Sequence, residues 1–277
     1  LYIPSVYVSH DGTALDNKLP LLRSEENLNS QVLRLLKILG NDKVKSIHSS
    51  LGMEHEFYVI DAKVYENRKD IRMTGHTLFG CESVKNGIQE NRYLTDFDSR
   101  MNCFFSAVEE KLFSIGVIVT CKHKEICHNQ YEIVFKYAKS DISVENSLLA
   151  MNILKEYANK YQLVCLFHEK PFCHTSWGSS TDTNWSVITE DGYNLFSMGK
   201  TDLERKQFLV FFIALIESID RYGELLCAFS ASAGYDYKIR KREALSLTIL
   251  SMDIGSSIQN FITNQRFWIR KHFQVNN

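Results

Sequence analysis

Proline is scarce in this sequence, with three residues among 277, at positions 4, 20 and 171, and no Ser-, Gly- or Pro-rich tract interrupts the rest. A flexible linker between separately folded domains is therefore not expected, and a single domain, or part of one, is the simplest organisation. Long apolar runs are also missing. The longest, residues 208–216, stops at Glu217 and falls well short of the 18 or more residues that a membrane helix needs. The sequence thus predicts a soluble protein with no membrane partner. None of the seven cysteines forms a C-x-x-C pair, and their odd number argues against a closed disulfide framework, so a reducing cytoplasm is the expected location. Charge of one sign is not in excess: 32 basic and 33 acidic side chains leave a net charge of -1, which gives no field to attract nucleic acid. Neither a Walker loop nor Gly-x-Gly-x-x-Gly occurs, so any nucleotide is held by other means. The first residues, Leu1-Tyr2-Ile3-Pro4, carry no initiator Met and no signal-like segment, so the sequence reads as starting inside something larger.

Helical periodicity is present in four places. Leu28, Val32, Leu35, Leu36 and Leu39 share one face of a helix that ends at Gly40. Residues 96–116 and 144–160 predict two more. The fourth opens on Thr201-Asp202-Leu203-Glu204, a capping box in which Thr and Glu each satisfy the other's backbone N–H. A further helix is expected from about Ala244. Short alternating segments at 45–50, 56–61, 117–121, 131–136, 163–167 and 185–189 predict strands. Strands and helices do not alternate strictly, which favours an α+β fold with an antiparallel sheet and helices packed on one side.

Two acidic pairs stand out. In Gly52-Met53-Glu54-His55-Glu56-Phe57-Tyr58, the strand period of two puts Glu54 and Glu56 on one face. Carboxylates this close repel unless solvent or a cation separates them, and a hard ion such as Mg²⁺ or Mn²⁺ accepts such oxygens. The second pair is Glu125, on a loop, and Glu132, on the strand that follows it. Each pair alone is also explained by a solvated strand face. Together they point to a metal centre.

Glu-x-Glu on a strand, followed by Glu-x6-Glu ending in Gln130-Tyr131-Glu132, resembles the metal-binding signature of glutamine synthetases. Pro20-Leu21-Leu22-Arg23-Ser24, residues 75–80 (GHTLFG), His168-Glu169-Lys170-Pro171-Phe172 and Asn184-Trp185-Ser186 are similar to segments of that family's type III branch, and the likeness runs in order over residues 1 to about 255. The resemblance implies a catalytic domain with a curved antiparallel sheet and helices packed on it. Residues 1–277 would be a partial copy, lacking the preceding β-grasp domain and the C-terminal portion. It also implies an activity, the ATP-dependent amidation of glutamate by ammonia through a γ-glutamyl phosphate, in a homo-oligomer or in association with full-length subunits.

Position by position, the resemblance makes Glu56, Glu125 and Glu132 ligands of a first Mg²⁺ or Mn²⁺, and Glu54 a ligand of a second. Asp182 stands where the family has a metal-binding histidine. Asn184 and Ser186 would meet ATP, the alternative there being a buried Trp185 flanked by polar residues. Gly178 and Lys238 would meet glutamate, and Lys238 replaces an arginine whose planar fork a point charge cannot reproduce. Glu243 matches the flap glutamate that takes a proton from ammonium. His168 and Lys170 read as scaffold. The altered flap, Trp177 and Asp182 motivate another reading, a non-catalytic relative that binds metal or nucleotide or joins full-length subunits.

Overall fold

The computed structural model describes residues 5–80, 95–125, 127–172, 179 and 181–230. Its elements in chain order are α1 (Lys18–Ile38), β1 (Ile47–Asp61), α2 (Ala62–Asn67), α3 (Lys69–Thr74), α4 (Ser99–Ser114), β2 (Val119–Lys124), β3 (Gln130–Phe135), β4 (Ala138–Lys139), α5 (Ser140–Lys160), β5 (Leu163–Leu166), β6 (Thr181–Thr189) and α6 (Asp202–Ser230). The chain divides into two compact units, Leu1–Thr175 with Ser179–Phe211, and Ser176–Gly178 with Phe212–Asn277. Of the second, residues 212–230 are described, and they continue α6, which kinks at Tyr222. The helix expected from Ala244, and Gly178, Lys238 and Glu243, lie outside the described residues.

In the first unit, six antiparallel strands form one open sheet organised around β1. Ser50 and Leu51 pair with β4 and β6 at once, Glu54 and His55 with β3 and β6, and Tyr58 with β3 and β5. One edge of β1 therefore carries β3 and β4, the other β5 and β6, and β2 lies outside β3. Alternation gives the sheet two unlike faces. Phe57, Val59, Ile133 and Phe135 face Phe104, Phe105, Val108 and Leu112 of α4 and Ala150, Ile153 and Leu154 of α5. Burying one such Phe or Leu side chain contributes about 1.5–3 kcal/mol. Val32 and Leu36 of α1 pack with Ile47 and Val187 nearby. The opposite face bears Glu54, Glu56, Asp182 and Asn184 and, among the described residues, is covered toward one end, where Tyr58 and Ile60 meet Ile71 of α3 and Leu166.

The α+β architecture and its antiparallel sheet match the expectation, and the differences have local causes. β1 is one strand of 15 residues, not two short ones. Its centre holds buried Ser49, Ser50 and His55, which disguise the apolar alternation. α1 begins ten residues before Leu28 because Glu25 occupies an inward position. Its carboxylate accepts hydrogen bonds from Ser49 N at 3.0 Å, from the Ser49 hydroxyl and from Ser140 Oγ at 2.6 Å. α2 and α3, six residues each, are too short to show a period. Asp61 caps the first, and Arg68 grips Asp70 of the second at 2.9 and 2.6 Å. The capping box of α6 forms as expected: Glu204 N donates to Thr201 Oγ1 at 3.2 Å, and Thr201 N to Glu204 Oε2 at 2.8 Å. Trp185 is 41% exposed, against Phe196, not buried.

Candidate metal centre

The carboxylates gather because strand register puts them in rows across the open face. His123 of β2, Glu132 of β3 and Glu56 of β1 are successive cross-strand partners, and so, one step along, are Glu54 and Asp182. The loop before β3 supplies Glu125. Asn129 adopts a left-handed φ of 59°, which Asn tolerates better than most residues, and the chain turns back so that Glu125 N donates to Gln130 O at 2.9 Å. Asn129 O in turn accepts from Val59 N at 2.8 Å, which ties the turn to β1.

Glu125 and Glu132 are buried, at 6% and 7% exposure, and both approach His123. Its Nε2 lies 3.0 Å from Glu125 Oε1 and 2.9 Å from Glu132 Oε2. One ligand atom from each of the three lies within 4.8 Å of the others, the one such group of three among the described residues. Glu56 turns its carboxylate to Gln130, whose Nε2 donates at 3.0 Å to Oε2. Gln130 is buried and its Oε1 accepts from Cys127 N at 3.3 Å, so the amide is oriented by the same loop that carries Glu125.

Burial, and then the charges of Glu125, Glu54 and Glu56, hold the Glu132 carboxyl far above the ordinary carboxylate range. A buried carboxyl that resists ionising, set among other hard oxygen donors, fits a divalent cation. Glu54 lies across from Asp182 on β6, and Asn184, one side-chain position further along β6, donates through Nδ2 to Glu54 Oε1. Gly52 sits between: a Cβ there would stand 3.6 Å from Asn184 Cβ and 3.7 Å from Tyr137 Cβ. Ser186 is engaged elsewhere, donating to Asn194 Oδ1 at 2.6 Å.

The sequence reading of the metal centre omitted His123. The signal was there, since His123 and Glu125 are two apart and share a strand face, but the strand was expected to end at Cys121. His168 and Lys170 follow β5, past its last residue, Leu166. Lys170 N donates to His168 Nδ1 at 2.9 Å, the His168 ring lies 4.7 Å from that of His76, and Thr77 N donates to Pro171 O at 2.8 Å.

Residues 33–231 match the family model described as glutamine synthetase, catalytic domain. The chain belongs to the glutamine synthetase family. It is 36% identical over 264 residues to the type-3 glutamine synthetase of Dictyostelium discoideum, covering 95% of this chain and 36% of that relative. It is 33% identical over 258 residues to a glutamine synthetase of Butyrivibrio fibrisolvens, covering 93% of this chain and again 36% of the relative. The chain therefore spans little more than a third of the curated relatives it matches. Among solved structures, a glutamine synthase homolog is similar at a TM-score of 0.44 and 16% identity, over 70% of this chain and 38% of that one. Glutamine synthetases are ligases of glutamine biosynthesis that generally use ATP and divalent metals. No helix among the described residues is long and apolar enough to cross a membrane.

Proposed function

We propose that this chain is the metal-holding part of a glutamate–ammonia ligase, a partial catalytic domain that makes glutamine from glutamate, ammonia and ATP in an oligomer or together with full-length subunits, in the cytoplasm. The observation that carries the reading is the row His123, Glu132 and Glu56 with Glu125 beside it, on the open face of the sheet. Glu56, Glu125 and Glu132 would hold one Mg²⁺ or Mn²⁺, and Glu54 with Asp182 a second. Bound there, the ions neutralise phosphate charge and polarise the γ-carboxylate of glutamate.

The chain's own residues supply placement. Gln130 fixes the Glu56 carboxylate, and Asn184 fixes that of Glu54, so the two positions are set by neighbours that carry no charge. ATP is proposed to lie along β6, past Asn184 and Ser186, where Tyr137, 69% exposed, offers an aromatic surface. Gly178 and Lys238 are proposed to hold glutamate, and Glu243 to take the proton from ammonium so that the amine can attack the acyl phosphate. The test is phosphate release from ATP that needs both glutamate and ammonia. Loss of turnover in Glu56→Ala, with unchanged melting, supports the proposal. Turnover that survives this substitution overturns the assignment of Glu56.

Asp182 favours a second reading. Its carboxylate stands where the family resemblance places a histidine, and it adds negative charge beside Glu54, which strengthens cation binding without serving the chemistry of the neutral ligand. A protein that binds Mn²⁺ tightly in calorimetry, with no heat on adding ATP and glutamate, would be the non-catalytic relative.

A further inference from the structure

We infer that His123 is itself a metal ligand, through Nε2, so that the centre is a mixed imidazole–carboxylate site that selects Mn²⁺ or Zn²⁺ over Mg²⁺. The inference rests on the proposed role of Glu125 and Glu132 as cation ligands, and it adds a donor that the family resemblance does not supply.

The two faces of β2 have different occupations. Lys122 and Lys124 turn their ammonium groups away from the centre, to Glu109 of α4 and to the carbonyl of Asp96. Cys121 and His123 lie on the other face, with Glu125 next in the same alternation. Nε2 of His123 is 3.0 Å and 2.9 Å from oxygens of Glu125 and Glu132. Donors at right angles about an ion, with bonds of about 2.1 Å, stand about 3.0 Å apart. The spacing already present is thus that of adjacent ligands in one coordination sphere.

The ring's other nitrogen supports the same assignment. Nδ1 lies 3.7 Å from Sγ of Cys121, which is exposed at the rim of the sheet. A ligating histidine keeps its remaining N–H on an acceptor, which fixes both tautomer and ring plane. With the proton on Nδ1, facing sulfur, the Nε2 lone pair would point at the carboxylates. Cys121 is a positioning residue. The chemical consequence is selectivity, because imidazole favours Mn²⁺ and, more strongly, Zn²⁺, whereas Mg²⁺ prefers oxygen and water throughout.

The test uses the full chain loaded with Mn²⁺ and electron spin-echo spectroscopy, which detects a directly bound ¹⁴N nucleus, alongside titrations with Mn²⁺ and Mg²⁺. The expected result is an imidazole ¹⁴N signal that His123→Gln abolishes, with Mn²⁺ affinity lowered at least tenfold and Mg²⁺ affinity changed less than threefold. Cys121→Ala should keep the signal and weaken Mn²⁺ severalfold, and Cys121→Ser should restore it. Bound Mn²⁺ that is lost in Glu132→Gln yet shows no ¹⁴N coupling overturns the inference and leaves the carboxylate reading standing. A chain that binds no Mn²⁺ overturns both. Should His123→Gln fail to fold, the ¹⁴N signal of the unsubstituted chain decides alone.

Discussion

Glu56 and Glu132 are direct cross-strand partners on adjacent strands of the sheet. Like charges so placed repel. The cost appears at Glu132, whose carboxyl is pushed up to about 8, by burial first and then by Glu125, Glu54 and Glu56, against 4.5 in the absence of these influences. Between those values the folded protein holds a proton that the unfolded chain has released, so stability falls as pH rises. Metal-free protein should therefore melt at a lower temperature at pH 8 than at pH 6.5. Glu132→Gln should flatten that slope, and saturating Mn²⁺ should remove it. Scanning calorimetry at both pH values checks this, and a slope indifferent to Glu132→Gln would refute it.

His55 predicts an opposite slope on the acid side. It is 4% exposed, its Nε2 meets the Ser147 hydroxyl, its Nδ1 lies 3.1 Å from Thr181 Oγ1, and burial pushes its pKa down from 6.5 to about 4. The unfolded chain takes up the proton first as pH falls. The stability that neutral His55 confers is complete above about pH 6.5 and is lost as pH falls toward 4, by about 3 kcal/mol in all. Measured in a Glu132→Gln background, where the opposing slope is absent, denaturant midpoints should fall between pH 6.5 and 4. Adding His55→Gln should reduce that dependence.

Asp182 and Glu54 form the second acidic row, and the prediction there concerns stoichiometry. Asp182→Asn removes one charge while keeping shape, so calorimetry with Mn²⁺ should show one tight ion in place of two. Glu132→Gln should strike the other ion. Equal loss from both substitutions would mean that the two rows hold a single ion.

Much of this centre was legible in the sequence because strand alternation is a strict rule. Glu54 with Glu56 and Asn184 with Ser186 follow from it once the strands are placed, whereas Glu125 is brought to Glu132 by the turn at Asn129; the structure puts Asp182 opposite Glu54. His123 escaped because β2 runs three residues further than its apolar content suggests, through Lys122, His123 and Lys124. The beginning of α1 and the middle of β1 escaped for a related reason. Glu25, Ser49 and Ser140 satisfy one another inside the protein, and polar residues that pair in this way do not announce themselves as core. Ser186 shows the converse. Its position on the strand was legible, but its bond to Asn194 depends on a return of the chain that no periodicity encodes.

Glu25 gives a test of that internal polar network. Glu25→Ala would leave the Ser49 amide and hydroxyl and the Ser140 hydroxyl without their acceptor, at a cost of about 2–4 kcal/mol. The melting temperature should drop by roughly 5–15 °C. Glu25→Gln, which keeps one acceptor oxygen, should lose about half as much.

β1 carries partners from β3, β4, β5 and β6 on its two edges, and every one of them comes much later in the chain. Asn184 and Glu54, which share a hydrogen bond, are 130 positions apart. Loops of that span must close before any ladder repays their entropy, which makes such a sheet slow to form, on a scale of about milliseconds to seconds. The full pair of carboxylate rows exists only after β6, which brings Asp182 to Glu54, has docked. A divalent ion would then bind the finished sheet and not its precursors, and would act as a latch that slows unfolding more than it speeds assembly.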